Sequence, residues 1–230
     1  MSSAPKSSLT VGVLLLSNEG VQYLDVAPVD LLAMMQPQYM HALGASALAD
    51  KGVNMDIHYI SETGESLFPL TANVKVAVTD SIKTSPDLDI LMIPGPPPNF
   101  VAPEAVGAFI RAQADHAIAV LSVCTGIMPL AQSGVLKGKT ATGPLPLIPT
   151  ALRHGFPDTK WEEERRWIRD GNVWTSGGIT NGLDMMAGFI RTYYGDRPQV
   201  VELVLGAANV GDRPVEYREE EKRFGMGVGQ

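Results

Sequence analysis

A chain of 230 residues uses cysteine once, at Cys124. That residue closes the apolar run AIAVLSV and opens Thr-Gly-Ile, after which the apolar spacing becomes helical. A strand that ends in Cys-Thr-Gly and turns straight into a helix has the layout of a nucleophile elbow. The side chain stands at the top of a sheet, and Gly126 lets the helix pack close to the strand. Free N–H groups and the positive dipole end of such a helix favour a thiolate, so the reading predicts a Cys124 thiol more acidic than its free value of ~8.5. The same residue type also serves as a small buried hydrophobe, and only the junction it occupies argues for chemistry. Asp25, just ahead of VAPVDLL, reads by itself as an acidic charge at a helix start. The four histidines are not spaced with acids or the cysteine as metal ligands are, so no metal is expected.

An elbow needs a sheet behind it, and the rest of the chain spells one out. LTVGVLLL (9–16), MDIHYIS (55–61), DLDILMIPG (87–95) and AIAVLSV are aliphatic runs of the kind buried on both faces of a sheet, with VKVAVTD a short hairpin arm. Between them, Pro28 opens a helix over PVDLLAMM, PEAVGAFIRAQADH (103–116) begins another, and GIMPLAQSG forms a third that stops at Gly134. GKTAT is a further short strand. The Asp-Gly-Asn between alternating segments predicts a hairpin at about 161–176, and NGLDMMAGFIRTYYG and RPQVVELVLGAANV are two long helices. Alternating strand and helix give an α/β fold with a mostly parallel sheet, whose ligands bind outside the carboxyl ends of the strands. Cys124 falls at such an end.

Composition sets the outer limits. With 45% apolar residues the chain is expected to be a single domain over 1–230, with a core at about 10–209 and a charged, Gly-rich tail at 210–230 that lies on the surface or crosses to a partner subunit. A net charge of −7 offers no basic face, which argues against nucleic acid or an anionic membrane as partner. One cysteine forms no internal disulfide, the N-terminal MSSAPKSS is unlike a secretion signal, and no apolar run approaches the ~20 residues of a membrane span. The expected location is cytoplasmic. The ten methionines and three tryptophans read chiefly as core filler.

Four segments carry a resemblance. VLSVCTGIMPLAQSGVLKGKTAT resembles the nucleophile-elbow segment of the ThiJ/PfpI superfamily, and TSGGITNGLDM the late Gly-Gly-Ile-Thr segment of its isocyanide (isonitrile) hydratase branch. GVQYLDVAPVDLL is similar to that branch's first strand-loop-helix, and DILMIPGPPP to the Ile-Pro-Gly turn before the site. The resemblance implies a flavodoxin-like fold with helices on both faces of the sheet, and a homodimer to which the Met-rich first helix contributes. It implies Cys124 as nucleophile, Asp25 as the acid touching it, and Thr125 offering an N–H and a hydroxyl to substrate. Gly95 and Pro96 border the site, and Gly177, Gly178, Ile179 and Thr180 line it from the opposite loop.

Two departures accompany this pattern. TATGPLPLIP contains no histidine where many members have one, and His154 reads as an exposed helix-end residue, so a Cys124–Asp25 dyad is expected rather than a triad. Pro96 stands where relatives commonly carry a second glycine. It has no N–H to give a developing anion, and Gly95 or Thr125 would have to supply one. The implied function is a cofactor-independent hydro-lyase turning a small, largely apolar isocyanide into an N-substituted formamide. Three alternatives stay open: a glyoxalase-like enzyme, a cofactor-free isomerase or tailoring enzyme using Asp25 as acid/base, and a non-catalytic redox or ligand sensor built on Cys124.

Overall fold

The structure, a computed structural model, describes residues 8–226. Strands and helices follow one another as β1 (Ser8–Leu14), α1 (Tyr23–Ala33), α2 (Pro37–Ala42), β2 (Asn54–Ser61), β3 (Leu67–Pro69), β4 (Lys75–Ala77), β5 (Asp80–Ser81), β6 (Ile90–Ile93), α3 (Glu104–Ala114) and β7 (Ala119–Val123). The second half continues with α4 (Ile127–Gln132), β8 (Thr140–Ala141), α5 (Arg153–Gly155), β9 (Lys160–Trp161), β10 (Trp167–Asp170), β11 (Val173–Ser176), α6 (Thr180–Tyr193), α7 (Pro198–Ala208) and α8 (Glu219–Met226).

Seven strands form the central sheet in the order β10-β11-β7-β6-β1-β2-β5. All neighbours are parallel except the β10–β11 hairpin. The aliphatic runs follow from this placement, because a parallel strand covered on both faces has no polar side to show. Alternate residues of β1, β6 and β7 divide between two cores. Leu9, Val11, Val13, Ile90, Met92, Leu121 and Val123 meet Leu32 of α1, Met185 and Phe189 of α6, and Val204 of α7. Leu14, Leu91, Ile93 and Val120 meet Val106 and Ile110 of α3 and Leu130 of α4 on the other face. Helices on both faces of a mostly parallel sheet make this a flavodoxin-like α/β architecture. From β1 the chain moves outward to β2, then crosses back to β6 on the other side. That reversal leaves a crevice at the carboxyl ends of β1 and β6.

Several local expectations change. Helix α1 begins at Tyr23 rather than at Pro28, which sits inside it. Five residues precede the proline in this eleven-residue helix, so it falls mid-helix and forgoes one intrahelical hydrogen bond there. The hairpin is narrower than expected: Trp161 leaves it and pairs, through β9, in parallel with β8. Methionines of the first helical region turn inward, with Met35 and Met40 fully buried in the chain's own core. Trp174 is buried too, stacked on Trp167 and edge-on to Phe189. The tail lies on the surface and packs on its own chain: Arg165 and Glu216 form an antiparallel bridge, and Arg166 holds Glu221 with paired bonds of 2.8 and 2.6 Å. Among the described residues no helix is long and apolar enough to cross a membrane.

Candidate active site

Four neighbouring strands end at one place. Asp25 follows β1, Gly95 follows β6, Cys124 follows β7 and Ile179 follows β11, so the sheet order brings together residues far apart in sequence. Cys124 leaves β7 with φ 56°, in the left-handed region. Few non-glycine residues are held there, and doing so costs on the order of 1–3 kcal/mol. Two contacts enforce it. The Cys124 N–H donates to Gly177 O at 3.2 Å, tying β7 to the end of β11. Directly after it the chain passes so close to β6 that a Cβ on Gly126 would stand 2.0 Å from Ile93 O. Only glycine lets the turn run that tightly, and the backbone has the form of an elbow with a half-buried thiol at its tip.

Because α1 starts early, Asp25 lies in its first turn, and the side chain points into the protein with no exposed surface. It is therefore not the solvated helix-end charge that the sequence pattern alone suggests. The Gly95 N–H donates to Asp25 Oδ2 at 3.2 Å. A Cβ on Gly95 would fall 2.5 Å from that oxygen and 2.4 Å from Thr125 Oγ1, so the glycine makes room for the site. Asp25 Oδ1 is buried and accepts no well-aligned hydrogen bond. Burial pushes the carboxyl up to about 6, with the Gly95 N–H, the Cys124 thiol and the Ile179 N–H pulling the other way. A carboxyl titrating near 6 is suited to proton transfer at neutral pH.

The thiol departs from expectation. It is not acidified but pushed up to about 12, first by burial and then by the Asp25 charge facing it, against the opposing pull of the Thr125 N–H, the Thr125 hydroxyl and the Ile179 N–H. The helix invoked to acidify it is too small a counterweight: Cys124–Gly126 form one tight 3-10 turn, and α4 beyond has six residues. The expected acidified thiol would have been a thiolate at neutral pH. Above about pH 6 the arrangement is instead an ionised Asp25 beside a protonated Cys124.

The remaining predicted residues take more varied places. Thr125 is buried, and its hydroxyl donates to Pro96 O at 2.5 Å instead of standing free for a ligand. The Gly95 N–H is committed to Asp25 and Pro96 has none, so neither is a free donor for a developing anion. Gly177 is buried behind Cys124, Gly178 and Ile179 are half-buried, and Thr180 is exposed. His154 is exposed on α5, away from any triad role in the pattern above. Ile179 was expected in the lining, but the strain of its backbone is a feature that sequence reading missed. At φ 43° and ψ −94° it is a β-branched residue outside the allowed regions, and its N–H is among the groups that pull the Asp25 carboxyl and the Cys124 thiol down. The Gly-Gly before it marks the turn, but nothing in the residue types announces strain on the isoleucine.

Comparison with known proteins gives the family and the fold. A family model described as the DJ-1/PfpI family matches residues 13–192. An isonitrile hydratase from Pseudomonas putida is 32% identical over 205 residues, covering 86% of this chain and 78% of that protein. Among solved structures, a ThiJ/PfpI family protein from Pseudomonas syringae superposes with a TM-score of 0.67 at 19% identity, over 96% of this chain and 86% of that one. DJ-1beta from Drosophila melanogaster gives 0.67 at 17% identity, over 88% and 98% of the respective chains. At these identities the structures speak for the fold.

Proposed function

Because the chain belongs to the DJ-1/PfpI family, we propose, from its buried carboxyl beside an elbow cysteine, that it is a cysteine-dependent hydro-lyase of isonitrile hydratase type. The observation that carries this reading is Asp25, fully buried and touching Cys124, with a carboxyl raised to about 6. The 32% identity to an isonitrile hydratase supports the choice of reaction. Sulfur bonds to the terminal carbon of the isocyanide while its proton passes through Asp25 to that same carbon, giving a thioimidate. Water adds to the thioimidate carbon. The C–S bond then breaks, the thiol regains a proton by way of Asp25, and the N-substituted formamide leaves. Proton removal coincides with attack, because a thiol held near 12 has almost no thiolate in advance.

The raised thiol gives a second reading its support. If Cys124 stays protonated throughout, Asp25 alone serves as acid/base in a cofactor-free isomerase or tailoring reaction. Incubation with a panel of alkyl and aryl isocyanides, followed by NMR for the formyl proton, tests the first reading. Formamide accumulating with enzyme turnover is the expected result. No formamide from any member of the panel would remove the hydratase assignment.

A further inference from the structure

The residues after α7 lie beyond the segment that matches the family model, which ends at 192, yet they reach the loop that carries Ile179. Tyr217 is anchored on the main chain by its N–H donating to Glu164 O at 2.8 Å, and Arg166 N–H donates to Val215 O at 2.8 Å. Arg166 is 4% exposed and clamps the tail from inside. Its guanidinium holds Glu221, donates to Pro214 O at 3.0 Å, and lies 4.8 Å over the Tyr217 ring. From there the contacts converge on one loop. The Gly177 N–H donates to Arg166 O at 2.9 Å. Asn181 Nδ2 donates to Tyr217 Oη at 2.7 Å. Arg213 donates to Thr180 Oγ1 at 3.0 Å, to Asn181 Oδ1 at 3.2 Å, and to Asp184. Inside the loop, the Asn181 N–H donates to Gly178 O at 3.0 Å, closing a turn around Ile179.

A β-branched residue with positive φ persists only where its surroundings over-determine it; tail side chains hold the Thr180–Asn181 end of this loop, and the Arg166 main chain holds its Gly177 end. We propose that residues 213–221 form a strap whose Tyr217 and Arg213 are positioning residues, holding the 177–181 loop in the strained shape it takes beside Cys124, whose N–H donates to Gly177 O. Neither side chain is assigned a contact with substrate. Each acts through Asn181 and the loop. The inference rests on the Cys124–Asp25 site proposed above, but it concerns the shape of that site and not its reaction.

Tyr217→Phe removes one hydroxyl and keeps the ring over Arg166, and Arg213→Gln weakens the second tail contact with Thr180 and Asn181. The readout needs no substrate: the pH titration of the Asp25 carboxyl carbon by NMR, assigned by its absence in Asp25→Asn, together with hydrogen exchange of the Ile179 amide. Losing the pull of the Ile179 N–H destabilises the carboxylate. The Asp25 midpoint is therefore expected to rise by about half a unit to one unit in each variant, and the Ile179 amide to exchange at least about tenfold faster as the loop opens locally. A midpoint and exchange rate unchanged in both variants, with only the melting temperature lowered, would overturn the proposal and leave the tail a stabilising strap alone. Failure of isocyanide turnover with a shifted midpoint would count against the hydratase and not against the strap.

Discussion

Replacing Asp25 by asparagine isolates the free energy of holding a carboxylate inside this site. The folded carboxyl titrates near 6 against an ordinary value of 3.8, a difference of about two units at ~1.4 kcal/mol each. Between those two values the folded protein binds a proton that the unfolded chain does not. Stability from this group is therefore fully present below about pH 4 and is lost as pH rises through 6, leaving the folded state lower by ~3 kcal/mol at neutral pH. Asparagine does not titrate. Its carbonyl can still accept the Gly95 N–H, while its amide brings a buried donor whose desolvation costs ~1–3 kcal/mol at every pH. The offset cancels when the stability difference between variant and wild type is compared at two pH values. Urea unfolding of both proteins at pH 4 and pH 7.5 should show that difference moving in favour of Asp25→Asn by ~3 kcal/mol, or ~6–12 °C in melting temperature for a chain of this size. A difference independent of pH, or one moving toward wild type at pH 7.5, would refute the account of a carboxyl raised by burial.

Two further outcomes follow from the same geometry. Iodoacetamide should modify Cys124 more slowly than a free thiol at pH 7, with a rate that climbs only above about pH 9, and Asp25→Asn should move that rise to lower pH by removing the facing charge; fast alkylation of wild type at pH 7 would contradict the raised thiol. Gly126→Ala places a Cβ against Ile93 O, a backbone atom that cannot swing aside, and is expected to lower stability by at least ~3 kcal/mol. Unchanged urea unfolding in that variant would show that the elbow is not packed as described.

What could be read from the residues divides along physical lines. Aliphatic runs such as AIAVLSV announce strands because burial on both faces leaves no other composition, and a sheet of such strands fixes the ends where a site must lie. The position of Cys124 was readable for that reason, whereas Asp25 read by itself as a helix-start charge and entered the site only through the family resemblance. The start of α1 was not readable, since Pro28 carries a strong helix-start signal while the turn before it carries none. The protonation states were misjudged because they depend on which groups face each other across β1 and β7, a matter of sheet order that no local pattern encodes. The commitment of the Gly95 N–H to Asp25 and of the Thr125 hydroxyl to Pro96 belongs to the same class, as does the return of the tail onto residues 164–166.

The most direct test of the central claim is isocyanide turnover measured on wild type, Asp25→Asn, Cys124→Ser and the double variant under one set of conditions. If Cys124 attacks while Asp25 moves the proton, each single variant should lose ~100-fold or more, and the double should lose scarcely more than the worse single, since residues acting as one unit are not lost twice. Substantial turnover in Cys124→Ser, alongside an inactive Asp25→Asn, would contradict the cysteine-dependent mechanism and leave Asp25 as the sole acid/base of the site.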